Sequence, residues 1–163
     1  MLRERFASRP EIGIVHGELD RATNGQKFGS MVMINVLEHI EDDDGALRQV
    51  ASGLRPGGTV AIFTPAFELL YSGFDAAAGH HRRYRLPELR AKVQRAGFTI
   101  REARYVNSVG FFAWLLTARA LGLTPTSSRL ALTYDRYTVP VVRAAESRVV
   151  PPFGQSCLVI AER

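Results

Sequence analysis

The chain has 163 residues, of which 46% are hydrophobic and 23% charged, proportions that are typical of one globular domain and exclude a disordered or low-complexity chain. Its net charge of +5 comes from 21 Lys and Arg against 16 Asp and Glu, a modest excess that permits anionic partners without requiring them. The single cysteine, Cys157, excludes an internal disulfide and a cysteine-rich zinc site.

In the first half of the chain, short apolar runs alternate with an amphipathic helix. The runs are predicted strands, which cover residues 12–15, 30–35 and 59–64. The run at 30–35 is continuously apolar, which is typical of a strand covered on both faces. Asp42, Asp43 and Asp44 supply capping carboxylates for a helix that ends at Arg55-Pro56-Gly57-Gly58. A strand, a capped helix and a second strand in this order predict a parallel crossover unit.

The second half of the chain continues the alternation of helices and strands. The predicted helices cover residues 87–96, 108–123 and 128–149, and the predicted strands cover residues 98–106 and 157–161. A basic segment, residues 80–85, precedes them with the sequence HHRRYR. Because no internal repeat or linker interrupts the chain, we predict one α/β domain over residues 1–163.

The sequence shows no features of secretion or membrane insertion. Its first residues lack the apolar core of a signal peptide. The longest uncharged stretch, from Tyr105 to Ala118, has 14 residues, whereas a helix that crosses a bilayer needs about 20. These features predict a cytoplasmic protein without a transmembrane segment.

Four segments stand in an order that is found in one protein family. They read RERFASRPEIGIVHGELD (3–20), FGSMVMINVLEHI (28–40), LRPGGTVAIFTPA (54–66), and GHHRRY followed by RAGF (79–98). In order and spacing they resemble class I S-adenosylmethionine-dependent methyltransferases of the type whose post-strand segment reads LEH. The resemblance implies a Rossmann-like doubly wound sheet and S-adenosylmethionine as the cofactor. It also implies methyl transfer to a small-molecule or lipid-like acceptor.

The resemblance implies cofactor contacts in two loops. Glu18 matches the acidic residue that accepts a hydrogen bond from the adenine amino group, beside the backbone N–H of Leu19 for the ring nitrogen. Asn35 and Val36 follow a strand at the carboxyl edge, where open α/β sheets bind ligands. The residues alone also allow Glu18 to be an exposed loop carboxylate, and the turn at 35–36 to be a connection without a ligand.

Glu38 and His39 have two interpretations. In some quinone-pathway O-methyltransferases, a Glu-x-x-Glu-His pattern binds a divalent metal. Asn35 stands here in place of the first glutamate, which removes one anionic ligand from a site for a hard cation. We therefore interpret the pair as a buried, hydrogen-bonded turn and expect no metal.

The basic segment is the candidate acceptor site, because in the family this region caps the active site. His80 is a candidate general base, since the unperturbed histidine pKa of about 6.5 suits neutral pH. Arg83, with Tyr84 beside it, is a candidate for holding an anionic acceptor. The alternative for each residue is a solvated basic loop. No recognition motif accompanies the positive charge, so we expect no nucleic-acid partner.

The apolar run at 109–116 also has two interpretations. It can line a pocket for a lipid-like or aromatic acceptor, since such pockets are rich in apolar and aromatic side chains. It can equally be a helix that packs in the core.

The sequence has no counterpart of the first two strands of the family, nor of their glycine-rich turn and ribose-binding acid. We therefore expect a partial Rossmann-like sheet that is missing these two strands. The strand at 30–35 would then form an exposed apolar edge that favours self-association. The alternative to a methyltransferase is a non-catalytic fragment, or a subunit completed by a partner, that binds no cofactor alone.

Overall fold

A mixed four-stranded sheet forms the centre of the computed structural model, which describes residues 2–6, 8–9, 11–17, 19, 25–120 and 132–163. The strands are β1 (Phe28–Ile34), β2 (Leu54–Pro65), β3 (Thr99–Val106) and β4 (Ser156–Glu162). Their order in the sheet is β1-β2-β4-β3, with β1 and β2 parallel and β4 antiparallel to both of its neighbours. The predicted fold class, a partial Rossmann-like α/β sheet, is confirmed.

Six α-helices are described: α1 (Leu2–Arg5), α2 (Asp43–Gly53), α3 (Gly73–Ala78), α4 (Leu86–Arg95), α5 (Ser108–Trp114) and α6 (Val139–Glu146). A π-helical turn, Leu115–Ala120, extends α5, and another, Tyr134–Thr138, precedes α6. The remainder of the predicted helices at 108–123 and 128–149 lies partly outside the described residues. No helix in the described ranges combines the length and apolarity needed to span a membrane.

The predicted crossover unit is formed by β1, α2 and β2. The Asp42 side chain caps α2 by accepting a hydrogen bond from the Gly45 N–H at 2.8 Å, and Leu47 and Val50 of the helix pack in the core. The Pro56-Gly57-Gly58 segment does not separate helix and strand as expected, because β2 already begins at Leu54. A shift in register opposite Phe28 and Ser30 accommodates these residues within the strand.

The prediction of a strand at residues 12–15 is wrong, since residues 12–16 belong to no helix or strand. A strand needs a neighbour to which its N–H and C=O groups can bond. Within the described part of the chain, this segment pairs with none of the four strands.

β1 is an edge strand that is covered on one face only, contrary to the expectation of burial on both. Its side chains alternate between the faces of the sheet, so that Met33 is buried in the core whereas Val32 and Ile34 are 65% and 61% exposed. The expected exposed apolar edge is therefore present, and self-association through it remains a prediction.

β4 lies inside the sheet and contributes Cys157, Val159 and Ala161 to its core, all fully buried. Burial raises the pKa of the Cys157 thiol to about 12. The thiol is therefore an apolar packing group rather than a nucleophile.

Candidate functional site

The turn after β1 is held in an uncommon backbone conformation. Asn35 has a φ of 50°, in the left-handed region that asparagine tolerates better than most residues. Its N–H donates a hydrogen bond to the Phe63 carbonyl of β2 at 2.9 Å, which anchors the turn to the sheet. Asn35 and Val36 are both exposed at the carboxyl end of the two parallel strands.

A groove of about 740 Å³ runs along β1, between the segment around residue 19 and α2. Leu19 and Val36 both contribute to its lining, which is mostly apolar. The fold thus brings two of the predicted cofactor residues to one groove. Asn35 is the neighbour of Val36 but does not line the groove, and Glu18 lies outside the described residues.

Behind this turn, Glu38 is a fully buried carboxylate with one hydrogen-bonded oxygen. Its Oε2 accepts a hydrogen bond from the Thr64 hydroxyl at 2.9 Å. Its Oε1 has no hydrogen-bond partner among the described residues. Beside it, the exposed His39 ring meets the His80 ring edge to face, with 4.6 Å between ring centroids.

The basic segment is anchored by Asp75, a fully buried residue that the sequence analysis did not single out. Asp75 Oδ1 lies 2.8 Å from both His80 Nδ1 and Arg83 Nε, and Arg83 Nη2 donates to Oδ2 at 3.0 Å. Burial by itself would raise the pKa of Asp75, but the bonds and charge of Arg83 outweigh it and hold the pKa below its usual value. Since an ionised carboxylate only accepts hydrogen bonds, His80 donates through Nδ1.

One signal for Asp75 was present in the sequence. Ser72 and Asp75 have the spacing of a capping box, and the structure contains this box at the start of α3. The pattern predicts a helix start, but it does not predict that the same carboxylate also binds His80 and Arg83.

Arg83 and Tyr84 are buried, so neither is a solvated loop residue. The Arg83 guanidinium lies 5.1 Å from the ring centroid of Trp114. The Tyr84 hydroxyl donates to Asp43 Oδ2 at 2.8 Å. Burial and the neighbouring Asp43 carboxylate raise the pKa of Tyr84 far above its usual value, so its hydroxyl stays protonated. In these positions both side chains make hydrogen bonds to other residues of the chain.

Two hydrogen bonds hold the basic segment in place, and the first of them attaches it to the turn after β1. The His81 N–H donates to the Glu38 carbonyl at 2.8 Å, and the Tyr71 hydroxyl donates to the His80 carbonyl at 2.8 Å. His80, the candidate general base, therefore lies next to the turn that follows Asn35 and Val36, although these residues are far apart in the sequence.

The run at 109–116 is neither wholly buried nor wholly exposed. Gly110 is buried and Phe111 stacks edge to face with Phe67, whereas Phe112 and Leu116 are exposed. The run therefore presents apolar side chains to solvent on one side of α5.

Comparisons with known proteins agree with this arrangement. The methyltransferase domain family matches residues 6–103, more than half of the chain. No curated protein matches the sequence.

Three solved structures show the same fold. An S-adenosylmethionine-dependent methyltransferase from Mesorhizobium loti is similar with a TM-score of 0.56 at 18% identity, over 100% of this chain and 76% of that one. A putative methyltransferase from Bacillus halodurans gives 0.57 at 14% identity, over 98% and 76%. An S-adenosylmethionine-dependent methyltransferase from Archaeoglobus fulgidus gives a TM-score of 0.54 at 11% identity, over 95% of this chain and 69% of that one. With this domain match, the chain belongs to the methyltransferase domain family, and its fold is similar to that of S-adenosylmethionine-dependent methyltransferases.

Proposed function

We propose that this chain binds S-adenosylmethionine in the groove beside β1 and presents its methyl group to a small-molecule or lipid-like acceptor. The observation that carries the proposal is the convergence of Leu19 and Val36 on one groove. This groove reaches the carboxyl end of β1, the edge where open α/β sheets bind ligands. Its mostly apolar lining suits the flat face of a purine.

Each cofactor residue has a proposed contact. Glu18 accepts a hydrogen bond from the adenine amino group, and the Leu19 N–H donates to the ring nitrogen. The turn at Asn35 and Val36 lies against the cofactor with its backbone. The hydrogen bond from Asn35 to Phe63 supports this role, because it fixes the turn before any ligand arrives.

The basic segment is the proposed wall of the acceptor pocket. His80 is held by Asp75 through Nδ1, which fixes the orientation of its ring in this wall. Arg83 and Tyr84 support the wall from within, through Asp75 and Asp43.

The reaction is a direct displacement at the methyl carbon. An electron pair of the acceptor forms the new bond to carbon while the bond from carbon to sulfur breaks, and S-adenosylhomocysteine leaves. Because the sulfonium is already activated, the protein mainly aligns the reactants, and alignment supplies about 7–11 kcal/mol.

Calorimetric titration of S-adenosylhomocysteine into the 163-residue chain tests the cofactor site. We expect saturable binding in the wild type. Loss of one hydrogen bond to a charged group costs about 1.5–3 kcal/mol, so Glu18→Ala is expected to weaken binding roughly 10- to 100-fold. Glu11→Ala is the matched control, because it removes an exposed carboxylate nearby that pairs with Arg9.

Two results would contradict the proposal. Equal losses in both variants would show that general charge, not Glu18, determines affinity. No saturation up to about a millimolar, in a chain that circular dichroism shows to be folded, would favour the subunit that needs a partner.

A further inference from the structure

We propose that Glu38, His39 and His80 bind a first-row transition-metal dication beside the end of β1. Each residue offers one ligand atom, and these three atoms all lie within 4.8 Å of one another. The inference does not depend on methyl transfer, because it rests on the donor atoms alone.

The buried carboxylate is the first argument. Glu38 is fully buried, and its Oε1 has no donor among the described residues. A buried polar oxygen without a partner is costly, and native structures rarely leave one. The Thr64 hydroxyl meanwhile holds Oε2 at 2.9 Å and so fixes the carboxylate. A cation between Glu38 and the two imidazoles would supply the missing partner of Oε1.

The support of His80 is the second argument. Histidines that bind metals usually donate their other ring nitrogen to a carboxylate, which sets the tautomer and orients the ring. His80 Nδ1 lies 2.8 Å from Asp75 Oδ1, so Nε2 is the nitrogen that remains for a metal. Arg83 and Ser72 bind Asp75 in turn. His80 thus has the support that a ligand histidine requires.

The donor set selects the class of metal. Two imidazole nitrogens and one carboxylate oxygen suit zinc and its first-row neighbours, whereas Ca²⁺ and Mg²⁺ prefer oxygen ligands. Bonds of about 2.0–2.2 Å keep any two ligand atoms of one ion within about 4.4 Å of each other, close to the 4.8 Å within which these three atoms lie, so at most a small adjustment is needed. The exposed ring of His39 has room to make this adjustment. Three protein ligands also leave a coordination position open.

From the sequence alone we expect no metal, because Asn35 stands where a glutamate ligand would be needed. In the structure, His80 from the basic segment places a third donor atom beside Glu38 and His39. Asn35 is therefore not required in this ligand set.

Titration of the metal-free 163-residue chain with Co²⁺, followed by its visible d–d absorption, tests the site. We expect one equivalent to bind, with bands of a site that has nitrogen ligands, and Zn²⁺ to displace it. His39→Ala and His80→Ala should each weaken binding at least 10-fold. Asp75→Asn should weaken it about 10- to 100-fold, the usual cost of losing such a support.

The controls separate the site from general effects. His81→Ala removes an exposed histidine next to His80 and should leave the affinity unchanged. Glu38→Gln keeps the buried shape while it removes the anionic ligand, and should weaken binding at least 10-fold. Circular dichroism of each metal-free variant identifies those that remain folded. Absence of saturable binding below a millimolar, or wild-type affinity in folded His39→Ala and His80→Ala, would overturn the proposal, whatever the outcome with S-adenosylhomocysteine.

Discussion

The carboxylate of Asp43 connects α2 with the basic segment and with α4. It stands at the first turn of α2, where it accepts hydrogen bonds from the Tyr84 hydroxyl and from Lys92 Nζ, each at 2.8 Å. Arg82 forms a further ion pair with it at 3.0 Å. Asp42 and Asp43 therefore have different tasks: Asp42 caps the helix, whereas Asp43 holds the basic segment and α4 against it.

Stability should depend on pH through Asp43. Burial alone would raise the pKa of Asp43, but the hydrogen bonds from Lys92 and Tyr84 outweigh it and hold the pKa below the ordinary 3.8. The unfolded chain therefore binds this proton more readily, so the stabilisation is complete above about pH 5 and is lost as the pH falls through the folded-state pKa. Urea unfolding of Asp43→Asn should show a loss of about 2 kcal/mol at pH 7. Its difference from the wild type should shrink below pH 3.8.

Asp42→Asn is the matched control for this measurement. Asparagine caps helices about as well as aspartate does, so the change should have little effect on the free energy of unfolding. A loss in Asp43→Asn that stays constant from pH 7 to pH 3 would show that the carboxylate charge is not the source of the stabilisation.

Among the strands, β1 has one face that is buried and one face that is exposed to solvent. Met33 faces the core formed with α2, while Val32 and Ile34 face solvent. Apolar side chains on an unpaired edge strand are a template for association with other chains. Because no described residue covers the second face of β1, Val32 and Ile34 form an apolar surface there. A strand covered on both faces would bury these side chains.

Lysine substitutions on β1 should reduce self-association. In Val32→Lys and Ile34→Lys, the charge opposes docking of a second strand or sheet. Because both side chains are already exposed, the free energy of unfolding should change by no more than about 0.5 kcal/mol. Sedimentation velocity over a range of concentrations measures the effect. Val149→Lys is the control, since this equally exposed valine lies outside the sheet. An equal reduction in the control would point to net charge instead of the edge.

For the whole molecule, β4 is the element that joins the sheet. It comes last in the sequence, yet it lies between β2 and β3 and pairs antiparallel with both. Without it, β3 and α4 would lose their connection through the sheet to the crossover unit. β4 therefore connects β3 to the strands of the crossover unit within one sheet.

A chain that ends at Gln155 should not fold cooperatively. Removing β4 deletes an interior strand whose Cys157, Val159 and Ala161 are fully buried, leaves β3 without a partner and leaves one side of β2 unpaired. Circular dichroism during urea unfolding should show no cooperative transition. Arg101→Ala is the control, because it removes only the exposed ion pair of Arg101 with Glu162 in β4. Surface pairs contribute at most about 1 kcal/mol, so this variant should retain the transition. A cooperative transition in the shortened chain would contradict the role assigned to β4.

The sequence by itself determined the elements of the crossover unit and their order. Helix caps and the periodicity of apolar residues act within a few residues, which is why Asp42 correctly marked the start of α2. The segments at 28–40 and 54–66 also indicated the family, because their order does not depend on any one contact. These are local properties, and local sequence is sufficient for them.

Only the tertiary structure decided which polar residues meet. Asp75 binds His80 and Arg83, and Glu38 lies beside two histidines, because loops from different strands converge at one edge of the sheet. The segment at 12–15 also depends on distant residues, since its apolar residues pair with none of the four described strands and so form no strand themselves. Strand pairing and burial depend on residues that are far apart in the sequence. A local sequence pattern therefore cannot predict them.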